Sequence, residues 1–456
     1  MTTTATSLTP LQSLVSGPVV GPSDPAWDTA RQAWNLTADQ RPEAVAFAES
    51  ADDVRAVVDF ARRRGLKVAA QGTGHAASCL ASLEGTVLLK TMRMGGVEVD
   101  ASARTARVEA GALWGELAVA AGGLGLAGLA GSSPDVGVVG YALGGGIGWL
   151  SRRHGLASNS ITAIELVTAD GRLVRADRDT EHDLFWALRG GGGSFGVVTV
   201  FELALVETPE IYAGGIMWPA ERGPEVLEAY RSLAASAPAE FTSGVRYLCP
   251  PPIPEVPEPL RGRPLVDVTG AFLGGEEEGR ELLASLRSLG DPIVDTFAMV
   301  EPTALCHIYG DPEQPTPGMT HQTMLRELAP GTVDALVEAA GPGSGSPLLA
   351  VALRHLGGAL GTAPDGAGAL DRLDGEYAMY GVGVPMAPGM APAIAAHLDR
   401  VVEAVEPWST GGDYLNLADR PCDSSRAFPE ATYKRLKEIR AQVDPAGMFL
   451  ASHPVA

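Results

Sequence analysis

Short blocks of apolar residues, separated by turn residues, run along the first half of the chain. Residues 50–65 are predicted to form a helix, because Asp52 and Asp53 lie in its first turn, arginines lie in its last turn and the apolar residues share one face. β-Branched runs predict strands over 66–70, 86–90, 96–100 and 105–110, and a second helix is predicted over 113–121. This order favours an α+β fold over a regular β-α-β alternation.

The pattern changes in the second half of the chain. Before the change, residues 162–168 and 172–176 flank an Asp170-Gly171 turn and predict a hairpin, followed by a helix over 182–188 and a strand over 196–203. After about residue 209 we expect strands near 266–272, 348–353 and 377–382, and helices near 276–289 and 393–405. A last amphipathic helix over 430–443 ends at Asp444-Pro445. The second half is therefore predicted to form a lobe of its own.

Composition places the chain among globular proteins and narrows its partners. The 456 residues are 45% hydrophobic, which is enough for a substantial core. The formal charge of −21 argues against nucleic acid or an anionic membrane, because both attract clustered Lys and Arg. Neither a signal-peptide pattern nor an apolar run of roughly 18 residues occurs, so a cytoplasmic protein is expected. Four scattered cysteines without a C-x-x-C pair predict neither a zinc site nor disulfides.

Two glycine-rich segments are candidates for binding a large ligand. One is Gln71-Gly72-Thr73-Gly74-His75, where missing or short side chains let backbone N–H groups turn toward a pyrophosphate. The other is GSSPDVGVVGYALGGGIG, residues 131–148, which indicates backbone lying close to a ligand or an ordinary glycine-rich loop. A lone histidine is more often structural than reactive. The two segments alone therefore predict a phosphate site and no particular chemistry.

Motifs of other enzyme classes are weak or missing. The G-x-S-x-G pattern of a serine hydrolase occurs at residues 192–196, centred on Ser194. A nucleophile elbow follows a strand and opens a helix, whereas here a predicted helix precedes the motif and a predicted strand follows it. The sequence contains no P-loop, no H-E-x-x-H motif and no G-x-G-x-x-G between a strand and a helix. A different nucleotide-binding device is needed.

Longer stretches resemble the FAD-binding domain of the vanillyl-alcohol oxidase and p-cresol methylhydroxylase (PCMH) superfamily, in its berberine-bridge-enzyme-like branch. The order and spacing of that family are matched by RPEAVAFAESADDVRAVVDFARRRGLKVAAQGTGH, PDVGVVGYALGGGIGWLSRRHGLASNSITAIELVTADGRLV and DLFWALRGGGGSFGVVTVFEL. The family's closing segment is resembled by YLNLADR and RLKEIRAQVDPAGMF. The similarity thus covers both ends of the chain and is looser in the middle.

The resemblance implies an α+β, two-lobed architecture: a PCMH-type FAD-binding domain with an inserted antiparallel-sheet substrate domain. The implied FAD-binding domain covers residues 26–208, and the substrate-binding domain covers 209–410. A C-terminal segment, 411–456, is expected to return to the FAD domain. A polar, mobile N-terminal segment is predicted over residues 1–25.

The resemblance also implies how FAD is held. His75 is expected to be bonded to the methyl group of the flavin's benzenoid ring. Many relatives make a second bond through the cysteine of a G-x-C-P-x-V-G element, but Ser133 stands in that place here, so a single tether is implied, as in the hydroxynicotine oxidases. Val138 is expected where a small apolar residue lets oxygen reach the flavin. The residues implied to bind FAD are Gln71, Gly72, Thr73, Gly74, His75, Ala76, Ser132, Ser133, Val136, Gly137, Val138, Gly140, Gly144, Gly145, Gly146, Gly148, Val197 and Asn416.

Tyr414 and Asn416 are the candidate catalytic residues, because they resemble a Tyr-x-Asn element that faces the flavin. A phenol takes a proton from an alcohol or amine only if its pKa of about 10 is lowered, and a tyrosine that merely packs on its ring is the alternative. Leu417 stands where the family often has a second tyrosine. Other candidate bases, which the sequence does not rank, are His307, Tyr309, His321, His355 and Tyr380.

The function implied by the resemblance is that of an FAD-dependent oxidase. Hydride would pass from an alcohol, amine or ring C–H of a small organic substrate to FAD, and molecular oxygen would be reduced to hydrogen peroxide. The alternatives are a flavin dehydrogenase, a natural-product oxidative cyclase and a flavin-binding scaffold for redox-neutral cyclisation. No metal is expected, and the substrate and the oligomeric state stay open.

Overall fold

The structure is a computed structural model that describes residues 9–80 and 82–456. Several of its helix and turn boundaries lie at residues that the sequence marks as caps or turn residues. Ser50 caps the helix Ala51–Arg64, because its hydroxyl accepts a hydrogen bond from the Asp53 N–H at 3.2 Å. Gly65 ends that helix in the left-handed region, at φ +66°. Gly171, at φ +84°, makes the predicted hairpin turn.

The α-helices and strands of the described residues follow in chain order. The helices are α1 (Thr9–Gln12), α2 (Trp27–Arg31), α3 (Ala51–Arg64), α4 (Trp114–Gly122), α5 (Val138–Leu143), α6 (Ser151–His154), α7 (His182–Leu188), α8 (Gly223–Ser236), α9 (Glu276–Leu282), α10 (Ala284–Arg287), α11 (Pro330–Ala340), α12 (Met390–Val405) and α13 (Glu430–Val443). The strands are β1 (Val19–Val20), β2 (Ala44–Phe47), β3 (Lys67–Gln71), β4 (Thr86–Lys90), β5 (Val97–Asp100), β6 (Thr105–Glu109), β7 (Leu126–Ala127), β8 (Ile161–Val167), β9 (Leu173–Asp177), β10 (Val197–Ala204), β11 (Val206–Glu207), β12 (Ile211–Pro219), β13 (Phe241–Leu248), β14 (Leu265–Phe272), β15 (Val294–Asp295), β16 (Ala298–Val300), β17 (Met319–Leu325), β18 (Ala350–His355), β19 (Tyr377–Gly383) and β20 (Phe449–Leu450).

The first half of the chain builds two five-stranded sheets. The first has the order β1-β2-β4-β3-β20, and apart from the antiparallel β1 its neighbours are parallel. One β-α-β unit, from β2 through α3 to β3, is therefore present within the predicted α+β arrangement. The second sheet is antiparallel, with the order β5-β6-β10-β8-β9. The C-terminal strand β20 completes the first sheet by pairing with β3.

An antiparallel sheet of eight strands occupies the second half. Its main order is β15-β12-β14-β13-β18-β19-β17, and β16 also pairs with β12. Apolar side chains on one face of these strands pack with α8, α11 and α12 in one large apolar cluster. The predicted helix over 276–289 is split into α9 and α10 at Leu283. Strands β12, β13 and β17 and helices α8 and α11 were not predicted.

The start of the chain differs from the predicted mobile segment. Residues 1–8 of that segment lie outside the described residues. Beyond them, Leu11 is fully buried in the apolar cluster that includes α3, and Val19 pairs with Ala46 across β1 and β2. Residues 10–20 therefore pack on the first sheet, because burial of Leu11 and the strand pairing hold them there. None of the described helices has the length and apolar character needed to cross a membrane.

Candidate active site

The loop after β3 is held in place by backbone hydrogen bonds from residues 34–35. The carbonyls of Thr73 and Gly74 accept hydrogen bonds from the N–H groups of Trp34 and Asn35, at 3.0 and 3.3 Å. Gly74 has φ +90°, a conformation that disfavours any residue with a side chain. The loop therefore presents residues 72–76 partly exposed at the end of a buried strand.

The His75 ring lies at the end of this loop in a fixed position. It stacks on Trp34 with ring centroids 4.0 Å apart and planes 23° from parallel. Its Nε2 lies 3.4 Å from the carbonyl oxygen of Asp135 and 3.7 Å from the Oδ1 atom of the same residue. Burial lowers the pKa of His75 although the Asp135 carboxylate opposes that effect. The ring is therefore a neutral imidazole near neutral pH.

Ser133, which stands where many relatives have a cysteine, contacts Asp135, and Asp135 in turn contacts His75. The Ser133 hydroxyl donates to Asp135 Oδ1 at 2.7 Å, and the Trp34 indole N–H donates to Asp135 Oδ2. The preceding Ser132 hydroxyl donates to Asp311 at 3.0 Å. Residues 132–135 thus join the His75 loop on one side to the second lobe on the other.

The glycines of residues 144–148 are required by close packing of the protein itself. A Cβ on Gly144 would lie 1.9 Å from Asn416 Oδ1, and one on Gly148 would lie 1.8 Å from the Ala130 carbonyl oxygen. A Cβ on Gly146 would meet the Tyr141 ring at 2.3 Å, and one on Gly145 would meet Leu370 at 2.8 Å. The sequence interpretation of these glycines as cofactor lining is therefore incomplete, because their small size is already explained by neighbouring protein atoms.

Two valines predicted at the cofactor have buried side chains. The Val138 side chain is fully buried in the main apolar cluster, at the first turn of α5. Val197, at the start of β10, is 1% exposed in the cluster below the first sheet. Neither side chain is accessible to a ligand in this structure. Val136, two residues before Val138, is partly accessible, and the predicted approach of oxygen at Val138 stays a prediction.

The backbone of the loop and of the 131–148 segment is open at three glycines. A Cβ on Gly140 would meet no atom within 4 Å, and at Gly72 and Gly137 the nearest atoms would be 3.7 and 3.9 Å away. Several buried polar atoms of the described residues have no hydrogen-bond partner in this region, namely Gln71 Oε1, Tyr141 OH, Trp149 Nε1 and Ser158 Oγ. Unpaired buried polar atoms are costly, and a ligand rich in donors and acceptors satisfies them. FAD is such a ligand.

The surroundings of Tyr414 do not favour its predicted role as the group that accepts the substrate proton. It is 1% exposed, and its oxygen accepts hydrogen bonds from the Gly146 N–H at 2.8 Å and from Asn416 Nδ2 at 3.2 Å. Burial raises the pKa of the Tyr414 phenol. Asn416 Nδ2 also donates to the Tyr141 carbonyl at 2.8 Å. The pair therefore fixes the glycine-rich segment, because these hydrogen bonds join Tyr414 and Asn416 to its backbone at Gly146 and Tyr141.

The inner face of the eight-stranded sheet carries polar residues toward the 131–148 segment. Arg354 on β18 donates to the Tyr380 hydroxyl at 3.3 Å and to the Ser132 hydroxyl at 3.2 Å. Its guanidinium also lies over the Tyr309 ring, 5.4 Å from the centroid. A partly open cavity of about 350 Å³, including the solvent at its mouth, lies here, lined by Arg354, Tyr309, Ser132, Gly148, Trp149 and His355. Its concave shape and its few polar groups make it the candidate place for a small substrate.

The candidate histidines of the second lobe do not gather around this cavity. His307 is half exposed and contacts Glu313, and His321 lies 3.7 Å from Asp399. His355 reaches the cavity, but burial lowers its pKa to about 3 and its ring stacks on Tyr377. Of the candidate bases named from the sequence, only Tyr309, Tyr380 and His355 therefore lie at or beside the cavity.

Comparisons with known proteins agree with this geometry. A family model described as an FAD binding domain matches residues 42–177. The (R)-6-hydroxynicotine oxidase of Paenarthrobacter nicotinovorans is 33% identical over 322 residues, which cover 70% of this chain and 68% of that protein. The chain belongs to the FAD-linked oxidases of the vanillyl-alcohol oxidase and PCMH superfamily. An uncharacterised FAD-linked oxidoreductase of Bacillus subtilis, YvdP, is 27% identical over 455 residues, which cover 95% of this chain and 97% of that one.

Solved structures of the FAD-linked oxidases share the whole fold. The 6-hydroxy-D-nicotine oxidase of Arthrobacter nicotinovorans superposes with a TM-score of 0.82 at 26% identity and covers 97% of both chains. The berberine-bridge-like protein 1 of Physcomitrella patens superposes with a TM-score of 0.85 at 21% identity and covers 99% of both chains. The predicted superfamily, the two-lobed fold class and the assignment as an FAD-dependent oxidase are thus confirmed, while the berberine-bridge-like branch stays a prediction, because that likeness shows the fold alone.

Three residues of this FAD-linked oxidase were missed by sequence reasoning. Trp34 and Asp135 contact His75, and Arg354 is the cation of the cavity. Trp34 lies 41 positions before His75 and outside the matching stretches of sequence, so no local pattern points to it. Asp135 lies within the G-x-S-P-x-V-G element, where its acidic side chain was the one available signal. Arg354 precedes His355 in a run that reads as an ordinary strand end.

Proposed function

We propose that this oxidase removes hydride from an alcohol, amine or ring C–H of a small organic substrate bound in the cavity beside Arg354, with molecular oxygen as the electron acceptor. Residues 26–208 and 411–456 would bind FAD, and residues 209–410 would bind the substrate. The observation that carries the proposal is the cationic Arg354, which reaches Tyr380 on the sheet and Ser132 on the FAD side across one cavity.

FAD, when bound, supplies the hydride acceptor. The chain's own part begins with the segments that hold it: the 71–76 loop, the 131–140 segment, and the buried polar atoms of Gln71, Tyr141 and Ser158 that lack partners. Asn416 and Tyr414 keep the 141–146 backbone in place through the hydrogen bonds described above. These contacts orient the site and exclude water, which strengthens the polar interactions inside it.

Tyr380 is the residue we assign to receive the substrate proton. Its oxygen accepts a hydrogen bond from the Arg354 guanidinium, which compensates the negative charge on that oxygen whenever its proton is away. Tyr309 stands beside the same guanidinium but is 7% exposed, and burial raises its pKa. Tyr414 is assigned as a support and not as a base, because burial raises the pKa of its phenol although the two hydrogen bonds that its oxygen accepts oppose that effect.

His75 is assigned as the single covalent tether of FAD. Its support is the neutral, stacked ring at the end of the loop, since a neutral imidazole is a competent nucleophile. Ser133 supplies no second tether, because a hydroxyl is far less nucleophilic than a thiolate and this one is engaged with Asp135.

Acid precipitation of the purified protein tests the tether. We expect yellow colour and flavin fluorescence in the pellet, and a flavin-carrying peptide that contains His75 and no residue from 131–137. The variant His75→Ala is expected to bind FAD that washes out on gel filtration and to oxidise substrate more slowly. Flavin found entirely in the supernatant of the wild-type protein would refute the covalent tether.

A substrate screen tests the oxidase reaction. Small alcohols, amines and N-heterocycles are mixed with the enzyme without oxygen, and bleaching of the flavin absorbance identifies a substrate. Readmission of air is expected to restore the colour within seconds and to release one hydrogen peroxide for each substrate oxidised. Restoration only by an added artificial acceptor would make the protein a dehydrogenase. Binding without bleaching would favour the scaffold alternative.

A further inference from the structure

Asp135 occupies the centre of the contacts around His75, and we infer that it orients the imidazole and takes its ring proton while FAD becomes attached. This inference rests on the proposed covalent tether. It assigns a function to a side chain that neither the resemblance nor the G-x-S-P-x-V-G element accounts for. It also explains why a serine at position 133 is compatible with a working site.

The position of Asp135 decides which nitrogen of His75 carries the proton. Both atoms near Nε2, the Asp135 carbonyl oxygen at 3.4 Å and Oδ1 at 3.7 Å, are acceptors only. Nε2 is therefore the protonated nitrogen, and Nδ1 keeps its lone pair. In the part of the chain that the structure describes, no polar atom forms a hydrogen bond with Nδ1. That nitrogen is the free nucleophile of the ring.

Asp135 is itself held by two donors, so the contact does not depend on a flexible side chain. The Ser133 hydroxyl bonds Oδ1 at 2.7 Å, and the Trp34 indole N–H bonds Oδ2. Trp34 also stacks on the His75 ring. One tryptophan thus sets both the plane of the imidazole and the position of the carboxylate, and the Asp135 side chain is only 16% exposed. Preorganisation of this kind raises the rate of a reaction between fixed partners.

The attachment balances with the groups named. A bond forms between His75 Nδ1 and the methyl carbon of the flavin ring, and one C–H bond of that methyl and the Nε2–H bond of the imidazole break. Two protons and two electrons are released in total, and molecular oxygen takes them up as hydrogen peroxide, as in the proposed oxidase reaction. Without an acceptor for the Nε2 proton, the alkylated ring would remain a cation in a buried site. The Asp135 carboxylate is the nearest group able to receive that proton.

The test follows covalent attachment and not oxidase activity. Full-length protein is produced in riboflavin-depleted cells, mixed with FAD in air, and sampled over time into acid. Flavin in the pellet measures the covalent form, and flavin that stays with the native protein through gel filtration measures total binding. Asp135→Asn removes the charge and keeps the shape, Asp135→Glu restores the charge, and Asp59→Asn makes the same chemical change on the surface of α3, where Asp59 contacts Arg62.

We expect Asp135→Asn to bind FAD and to form the covalent bond about 100-fold more slowly, which is the usual contribution of a positioned proton acceptor. Asp135→Glu should recover part of the rate, and Asp59→Asn should match the wild-type protein. Equal rates in Asp135→Asn and the wild type would overturn the role of Asp135 and leave the tether standing. A wild-type protein that never forms covalent flavin would overturn both proposals.

A second variant decides the matter if Asp135→Asn binds no FAD. Trp34→Phe keeps a ring stacked on His75 and keeps the Asp135 carboxylate, but it removes one of the two donors that hold that carboxylate. A several-fold slower attachment at unchanged total flavin supports the inference. The need for a carboxylate in this fixed position would be refuted by two results together. Trp34→Phe would form the covalent bond at the wild-type rate, and Asp135→Glu would reach full covalent loading at the wild-type rate.

Discussion

Arg246 and Arg354 lie on the adjacent strands β13 and β18, on the same face of one sheet, and they differ in their partners. Arg246 Nε donates to both carboxylate oxygens of Asp267, at 3.0 and 2.8 Å, and its guanidinium lies 4.1 Å from the Tyr309 ring centroid. Arg354 reaches only the hydroxyls of Ser132 and Tyr380. Within the described chain, no carboxylate lies within 4.0 Å of Arg354. The first arginine is neutralised by its cross-strand neighbour, and the second is not.

This difference separates a structural charge from a functional one. A buried ion pair seldom adds net stability, but removal of one partner leaves an expensive uncompensated charge. Arg354 is half-buried; a cation that is partly removed from water without a carboxylate beside it costs stability, and such groups concentrate at active sites. Arg246 should therefore matter mainly for folding and Arg354 mainly for catalysis, and the predictions below test that division.

The largest effect is expected from breaking the Arg246–Asp267 pair. Arg246→Met leaves the Asp267 carboxylate fully buried without a cation, and we expect a loss of about 3–5 kcal/mol in the free energy of unfolding. Urea unfolding followed by circular dichroism measures it. The double variant Arg246→Met with Asp267→Leu should recover most of the loss, because no lone charge remains. A single variant within 1 kcal/mol of wild type, on the order of error in such measurements, would contradict a structural role.

The second largest effect is expected from Arg354→Met, and it should appear in the rate of the reaction and not in stability. We expect the rate of anaerobic flavin bleaching by substrate to fall about 100- to 1000-fold, because a preorganised charge at the reacting groups is lost. Stability should change little or rise, since an unneutralised cation leaves the interior. Stopped-flow absorbance with the substrate from the screen gives the rate. If Arg354→Met unfolds easily and the surviving folded fraction bleaches normally, the comparison between the two arginines is wrong.

Tyr380 and Tyr414 allow the same comparison, between a functional and a structural side chain, to be made for two phenols. Tyr380→Phe removes the oxygen beside Arg354 and should slow bleaching roughly 10- to 100-fold at unchanged stability. Tyr414→Phe removes an acceptor from the Gly146 N–H and should cost about 1–2 kcal/mol of stability, with a bleaching rate within about threefold of wild type. The reverse result, slow chemistry in Tyr414→Phe only, would restore the sequence-based assignment of Tyr414 as the base.

The sequence predicted the first lobe more completely than the second for a physical reason. Helix α3 has an apolar face, a serine cap and a terminal glycine, so its limits can be read locally. Strands β13 and β17 were missed because alternate residues on their inner face are polar, among them Arg246 and Gln322. The row from Asp267 through Arg246 and Ala352 to Tyr380 and Gln322 crosses five strands. A polar row that faces a ligand weakens the apolar alternation on which strand prediction depends.

The candidate site shows the same limit. His75 and its loop were identified from a contiguous motif, and their role in binding FAD stays a prediction. The contacts of Trp34 with Asp135 and of Arg354 with Ser132 join residues that are 101 and 222 positions apart. No local spacing in one sequence encodes such pairs. The catalytic assignment of Tyr414 rests on a local motif, whereas the hydrogen bond that it accepts from Gly146 joins distant segments, so that assignment stays a prediction.

The smallest change in stability is expected from a substitution of Asp419. This residue extends the comparison to an acidic side chain that forms no salt bridge among the described residues. It lies near Thr320 at the end of the segment that carries Tyr414, and burial raises its pKa from 3.8 to about 6. A carboxyl group with a raised pKa in the folded state stabilises the protein fully below pH 3.8, and that contribution is lost as the pH rises through 6. Asp419→Asn should therefore be more stable than wild type at pH 7.5 by roughly 1–2 kcal/mol, allowing for partial access of water, and equal to it at pH 3.5–4. Thermal unfolding of both proteins across this range measures the difference. A gap that stays constant with pH would mean that the charge of Asp419 is compensated within the fold, as that of Asp267 is by Arg246.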